Sequence, residues 1–457
     1  MKRFLRSIGG MIVFLLKMLL YSSLFFTFFY TFSRQHWPLT RLNRTTVVTV
    51  VTFIIVGILL LMVYGGYDIG KRKSKPIIYS IVLATGLTDF FAWLMLSIMN
   101  TNPNYNKRFV VEDLDILLFV IVIQIVIIII FAYLGNYIYF KIYDPEKCCL
   151  ITACRDNAAA LFRAIGKFKK QYHVVFVDEY TDNRLYKHID RVDTVFLHEV
   201  PVAEREAIIE YCYKNFKNIY YTPEIADVVQ INAKHNILDD VSLAAAPVKE
   251  LTLEQRFVKR FMDIVISLVA IIISIPIWLV CAIAIKAYDK GPVLYKQNRV
   301  TKNGKIFTVL KFRTMRVNDD NHSVTADDDR ITPVGRVLRK YRIDEIPQFI
   351  NILLGDMSVV GPRPEMIENV YNYTTELPEF EYRLRVKAGL TGYAQVEGKY
   401  STSPKDKLMM DLMYIENYSF LKDIKLIMMT AIVLLKKDST EAFNEHKEID
   451  WKKYKKR

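Results

Sequence analysis

Four apolar stretches, at approximately 11–33, 45–64, 77–99 and 116–140, fill most of the first third of this chain. Each supplies the roughly 20 residues that a helix needs to cross a bilayer. The first is long for a cleaved signal peptide, has no small-residue cleavage site and is followed by more apolar stretches, so it reads as a span. Its Lys17 can snorkel or face a partner helix. Residues 1–145 are therefore expected to be a bundle of four transmembrane helices. A fifth segment, FMDIVISLVAIIISIPIWLVCAIAI at 261–285, is interrupted by Pro276, with Ser274 two residues before it. Proline removes a helical hydrogen bond and clashes with the preceding turn, so a kink is expected, and the nearby hydroxyl can help satisfy the freed backbone groups. Lys259 and Arg260 precede this segment, and Lys286 and Lys290 follow it. Two basic flanks suit a helix that enters and leaves by one face. An ordinary fifth span is the equal alternative.

Lys2, Arg3 and Arg6 precede the first span, and Lys71, Arg72, Lys73 and Lys75 lie between the second and third. The other two loops carry Arg34, Arg41 and Arg44, then Lys107 and Arg108 diluted by acids. The positive-inside bias then puts both termini in the cytoplasm. With long apolar runs present, a net charge of +14 points to a membrane surface rather than nucleic acid. No zinc-finger spacing, RNP-type motif or KH-type loop argues otherwise. The basic tail, 441–457, fits anionic lipid headgroups. Five cysteines, two of them adjacent, do not read as a disulfide framework. Free buried thiols in a reducing compartment are expected.

From 146 to about 250 the pattern changes. CCLITA, HVVFVD, DTVFLHE and NIYYTP read as short buried strands, with helical stretches near 156–170 and 203–216. That alternation predicts a small α/β domain with a parallel sheet, Rossmann-like in layout. Its first strand-to-helix turn, TACRDNAAAL, lacks the glycines that let a backbone approach a phosphate. A structural or regulatory role is expected.

Residues 251–440 carry the chemistry-bearing residues. VLYKQNRVTKNGKIFTVLKFRTM predicts a hairpin around Asn303-Gly304, a pair suited to positive φ. Side chains alternate along its second strand, so Lys311 and Arg313 share a face with Phe307 and Val309. Two such cations suit a diphosphate, Arg as a planar fork and Lys as a point charge; an exposed basic edge is the bland alternative. In RKYRIDEIPQFINILLGDM a helix is expected to begin near Asp344. There Asp344 acts as an N-cap and Glu345 favours the positive end of the dipole. The same placement beside cations keeps an aspartate ionised. An ionised carboxylate attacks phosphorus or holds a hard divalent cation. Pro362-Arg363-Pro364 fixes one guanidinium between two restricted residues. AGLTGYAQVEGK reads as strand-like, and 407–437 as an amphipathic helix placing Asp411 one turn before Tyr414.

Together KRFMDIVIS, GPVLYKQNRV, FTVLKFRTM, RIDEIPQFINILLGDMSVVGPRP and AGLTGYAQVEGK resemble the bacterial sugar transferases, the monotopic initiating phosphoglycosyl transferases of polysaccharide assembly. The resemblance covers roughly 256–440. Residues 1–250 match the long-form members by layout only. It implies a C-terminal α/β catalytic domain with a re-entrant membrane helix kinked at Ser274 and Pro276, facing the cytoplasm from the bacterial inner membrane. It implies that Asp344 and Glu345 are the catalytic pair, with Asp344 as nucleophile and metal contact and Mg²⁺ as cofactor. A phosphosugar would pass from a nucleotide sugar to undecaprenyl phosphate, with release of UMP, to start an exopolysaccharide, capsule or O-antigen. Lys311, Arg313, Arg363 and Asp411 fall in motifs that imply substrate or phosphate contacts. Tyr393, Glu397 and Lys399 depart from the common residues of the last motif, which leaves the sugar open. A non-catalytic membrane scaffold or sensor is the alternative, and a homo-oligomer is compatible with either.

Overall fold

The computed structural model describes residues 2–99, 112–155, 158–231, 233–246, 251–316, 330–398 and 403–435. It falls into two compact units, divided between Thr222 and Pro223.

The first unit opens with α1 (Lys2–Ser33), α2 (Arg44–Tyr64), α3 (Ser74–Met99) and α4 (Leu114–Ile142). All four are long and apolar enough to cross a membrane, as their sequences predict. The Asn43 side chain caps α2 by accepting from the Thr46 amide, as an N-cap residue does. Polar side chains inside the bundle tie helices together. Gln124 of α4 donates to the Leu24 carbonyl of α1 at 3.1 Å and to Asp89 of α3 at 3.4 Å. Both Gln124 and Asp89 are buried.

An α/β lobe follows: β1 (Glu146–Thr152), α5 (Ala159–Gly166), β2 (Tyr172–Glu179), α6 (Leu185–Asp190), β3 (Thr194–His198), α7 (Val202–Lys214) and β4 (Asn218–Tyr221). Its strands are parallel, in the order β2-β1-β3-β4. Successive residues of β1 point to opposite layers. Cys149 and Ile151 pack with Leu185 and Ile189 of α6 and Ile208 of α7, whereas Cys148 and Leu150 pack with Ala158 and Ile165 on the α5 side. Both faces are covered, as a parallel sheet requires. The loop between α2 and α3 is fastened to this lobe, where Gln171 donates to the Gly70 carbonyl at 2.5 Å and Lys73 lies over the Phe168 ring. All five cysteines are free. Four are buried as expected, but Cys154 is exposed because it follows β1 in a surface turn.

The second unit begins with α8 (Ile225–Gln230) and a hairpin, β5 (Lys234–Leu238) with β6 (Val241–Ala245). The long helix α9 (Leu253–Asp289) leads into the predicted hairpin, β7 (Leu294–Val300) with β8 (Ile306–Phe312). Asn303 and Gly304 both take positive φ at its turn. The rest is α10 (Pro333–Lys340), α11 (Gln348–Leu354), β9 (Ser358–Val360), α12 (Ile367–Glu376), β10 (Gly389–Thr391), α13 (Tyr393–Glu397), α14 (Pro404–Glu416) and α15 (Phe420–Leu435). A core of Phe307, Val309, Ile352, Val359, Leu412 and Tyr414 joins hairpin, helices and β9.

Helix α9 is assigned as one helix through Pro276. The Ser274 hydroxyl donates to the Ile271 carbonyl at 3.1 Å, one residue before the Ile272 carbonyl whose amide partner Pro276 removes. Both ends of α9 pack on its own unit. Near the start, Arg260 donates to the Ile352 and Leu353 carbonyls at the end of α11. Near the end, Trp278 meets Phe312 edge-on, with centroids 5.0 Å apart, and Cys281 and Ile285 pack against Leu338. Between them Leu268, Ile272, Ile273 and Ile275 are exposed.

Two expectations need correction. The 407–437 stretch is two helices, α14 and α15, broken between Glu416 and Phe420; the break brings Asp423 of α15 back to within 2.7 Å of the Tyr414 hydroxyl on α14. In the 388–399 stretch only Gly389–Thr391 is strand, and Tyr393–Glu397 is helix. Gly361, Gly389 and Gly392 pack so closely that a Cβ on any of them would meet another's backbone within about 3 Å, which leaves room for the β9–β10 crossing. Lys399 and the 441–457 tail lie outside the described residues.

Candidate functional site

Asp344 and Glu345 do not begin a helix. They occupy a 3-10 turn, Ile343–Glu345, between α10 and α11, and α11 starts only at Gln348. Arg342 enters this turn in the left-handed region, with φ +52°, a conformation disfavoured for any residue with a Cβ. Neither acid caps the turn: its N-cap is Arg342, with no side-chain capping bond. Long-range contacts hold the turn in place. Asn351 of α11 accepts from the Leu310 amide at 3.0 Å and donates to the Thr308 carbonyl at 2.8 Å, both on β8. That fork fastens α11, and the turn before it, to the strand that carries Lys311.

Glu345 is the anchored member of the pair. Its Oε1 accepts from Arg363 Nη2 at 3.0 Å and lies 3.6 Å from Lys311 Nζ. Its side chain is 13% exposed. Burial alone would disfavour the charge, but Arg363, Lys311 and Arg342 outweigh it and hold the carboxyl at about 2. Asp344 is different. Among the described residues no hydrogen bond or ion pair reaches its carboxylate. Burial and the charge of Glu345 push its carboxyl up to about 6, against the pull of Lys311, Arg339 and Arg363. It is still mainly ionised at neutral pH, because that pH lies above the raised value and not because the cations prevail.

Sequence reasoning placed Lys311, Arg313, Arg363 and Asp411 around this pair. Lys311 and Arg363 are there. Arg313 lies one residue past the end of β8, buried, with its guanidinium against Gly291; a Cβ on that glycine would fall 2.0 Å from Arg313 Nη1. The alternation that set it beside Lys311 stops at Phe312, which is turned into the α9 contact. Asp411 is also buried, and its Oδ2 accepts from Arg383 Nε at 3.0 Å, with Nη2 2.8 Å away. Arg383 in turn donates Nη2 to the Arg363 carbonyl at 2.9 Å. Asp411 therefore reaches the site only through Arg383 and the backbone of the Pro362-Arg363-Pro364 turn.

One cation was missed. Arg299 lies on β7 opposite Phe307, so it shares a face with Val309 and Lys311. The hairpin register around Asn303-Gly304 holds that information. Arg299 donates Nη1 to the Pro364 carbonyl at 3.1 Å and Nη2 to Gln297 Oε1 at 2.7 Å. A small cleft is lined by Arg299, Lys311, Arg363, Gln348, Pro364 and Gly389. Three cationic side chains line this cleft, and two of them, Lys311 and Arg363, act on an Asp344 carboxylate that has no hydrogen bond or ion pair among the described residues; the arrangement suits a polyanion and a nucleophile. Among the described residues no group of three or more His, Cys, Asp or Glu gathers as a metal site. A small hard cation held by one or two carboxylates, with substrate oxygens and water completing the shell, needs no such cluster, so Asp344 fits that role.

Residues 254–437 match the family model described as bacterial sugar transferase. Among curated proteins, the chain is 35% identical over 239 residues to a UDP-N-acetylgalactosamine-undecaprenyl-phosphate N-acetylgalactosaminephosphotransferase of Aeromonas hydrophila, covering 51% of this chain and 56% of the relative. It is 39% identical to a UDP-glucose:undecaprenyl-phosphate glucose-1-phosphate transferase of Caulobacter vibrioides, covering 40% of this chain and 71% of the relative. A protein of the same description from Escherichia coli K12 is 36% identical, covering 45% and 47%. The chain thus spans about half the length of the Aeromonas and Escherichia relatives and 71% of the Caulobacter one. By the Caulobacter match and the family model, the chain belongs to the bacterial sugar transferase family.

Proposed function

We propose that this chain transfers a phosphosugar from a UDP-sugar to undecaprenyl phosphate and releases UMP. The observation that carries this reading is the Asp344 carboxylate, which has no hydrogen bond or ion pair among the described residues and feels the charges of Lys311 and Arg363, two of the three cations that line one cleft. The sugars named for its relatives differ, whereas UDP and undecaprenyl phosphate recur.

In the first step an Asp344 oxygen attacks the sugar-bearing phosphorus. The bond from that phosphorus to the UMP oxygen breaks, UMP departs, and an aspartyl phosphosugar forms. In the second step a phosphate oxygen of undecaprenyl phosphate attacks the same phosphorus. The bond to Asp344 breaks and the carboxylate is regenerated. Lys311, Arg363 and Arg299 bind and orient the diphosphate and offset its charge. Glu345, neutralised by Arg363 and Lys311, keeps both cations in place. Mg²⁺ held at Asp344 would supply further charge stabilisation to the diphosphate when bound. Asp411 supports the site from behind, through Arg383 and the Arg363 carbonyl.

The apolar helices make a multi-pass membrane protein the natural setting. The basic loop between α2 and α3 is fastened to the α/β lobe, which supports a cytoplasmic lobe in a bacterial inner membrane. Helix α9 packs both ends on its own unit and leaves an apolar middle bare. That favours the reading in which it dips into the bilayer and returns by the same face. The product would start an exopolysaccharide, capsule or O-antigen.

The test is a donor screen with purified protein, undecaprenyl phosphate and Mg²⁺ against a panel of UDP-sugars, reading UMP. One donor giving UMP and a lipid-linked phosphosugar is the expected result. No UMP from any donor would favour a binding scaffold instead.

A further inference from the structure

Lys259 and Asp263 stand one turn apart on one face of α9. Both are buried and both grip the backbone of β9. Asp263 Oδ1 accepts from the Val359 amide at 2.8 Å and from the Ser358 hydroxyl at 3.0 Å. Lys259 Nζ donates to the Val360 carbonyl at 3.0 Å, to the Tyr414 hydroxyl at 3.1 Å and to Asp423 Oδ2 at 2.6 Å. Tyr414 closes the network by donating to Asp423 Oδ1 at 2.7 Å. None of these groups touches the cleft.

What β9 leads to gives the grip its meaning. Val360 is followed by Gly361 and then by the Pro362-Arg363-Pro364 turn. Gly361 has no free space: its amide donates to the Thr391 carbonyl at 2.8 Å, and a Cβ there would lie 2.3 Å from the Lys387 carbonyl. Both prolines have restricted φ. A shift of Val359 or Val360 therefore has few soft torsions in which to dissipate before it reaches Arg363. On the far side, the Arg363 carbonyl is held by Arg383.

We propose that Lys259 and Asp263 are positioning residues through which the membrane helix α9 sets the Arg363 guanidinium for the donor's diphosphate. This rests on the reading of the cleft as a UDP-sugar site. The site is then tuned from the membrane side by side chains that never meet substrate.

Asp263→Ala removes both bonds to β9, and Asp263→Asn keeps an acceptor at Oδ1. Ser358→Ala removes one of the two bonds. Two measurements separate positioning from plain destabilisation: steady-state kinetics of UMP release, and amide exchange of the 358–366 backbone. Asp263→Ala should raise KM for the UDP-sugar about tenfold, because small misplacements of a binding group are costly. It should also speed exchange across 358–366 while leaving β8 protected. Ser358→Ala should change both in the same sense but less, and it serves if Asp263→Ala does not fold. Asp263→Asn should restore both. Loss confined to kcat at wild-type KM, or unchanged exchange in Asp263→Ala and Ser358→Ala, would overturn the proposal. A wild-type protein without UMP release would count against the reaction itself and leave exchange to decide the linkage.

Discussion

Two charged clusters meet at Arg363, one on its side chain and one on its main chain. On the side-chain face, Glu345 holds Arg363 and Lys311, while Asp344 has no hydrogen-bond or ion-pair partner among the described residues. On the main-chain face, Asp411 grips Arg383, which also lies within 3.9 Å of Glu365, and Lys407 approaches Glu365 at 3.7 Å. The second cluster is nearly sealed; Asp411 is 1% and Arg383 3% exposed. Its carboxylates are spent on protein cations, and it holds shape. Among the described residues the first cluster leaves one carboxylate unspent within reach of the charges of Lys311 and Arg363, and it is available for chemistry. Equal numbers of acids and bases mean different things according to whether each has its own partner.

That contrast breaks if substitutions in the two clusters act alike. Asp344→Asn should reduce UMP release by at least about 10⁴-fold, as loss of a nucleophile does. Its thermal unfolding in detergent should come at or above the wild-type temperature, since among the described residues no hydrogen bond or ion pair is removed and burial with the Glu345 charge disfavours ionised Asp344. Chelation with EDTA should cost on the order of 10³-fold in rate, restored by Mg²⁺, if charge stabilisation at the diphosphate is worth several kcal/mol. Asp411→Ala should act the other way: it strands the buried Arg383 guanidinium and destabilises the fold by about 3–5 kcal/mol, visible as early unfolding on a thermal ramp. Lys311→Met should raise KM for the UDP-sugar by roughly ten- to thirtyfold with the fold intact, the loss of one charge-assisted contact. The smallest effect is expected at Arg342→Gly. The left-handed strain it relieves is set against the freedom it adds to the unfolded chain and the loss of the weakest of the three charges that favour ionised Glu345, so stability should move by no more than about 1 kcal/mol.

Much of this architecture is legible along the chain because it is written in local patterns. The apolar runs became α1 to α4 and α9, and Asn303-Gly304 turned the hairpin as its positive φ requires. The acidic pair was found in place, but its setting was not. A 3-10 turn entered through a left-handed arginine has no local signature, because Asn351 and the β8 backbone impose it from a distance. Arg299 was within reach, since the hairpin register puts it opposite Phe307. Arg383 and the Lys259–Asp263 grip were not, because their hydrogen-bond partners lie 20 to 164 residues away. Arg313 was misplaced because strand alternation was extended one residue past the strand.

The Asp89–Gln124 contact also bears on how the protein is made. The two residues are 35 positions apart, so α3 is synthesised and offered to the lipid before the amide that will receive its carboxyl exists. An acid in hydrocarbon without a companion is costly to insert. The third helix thus depends on the fourth for a stable berth, and biogenesis of this protein has a built-in order that its finished form no longer displays.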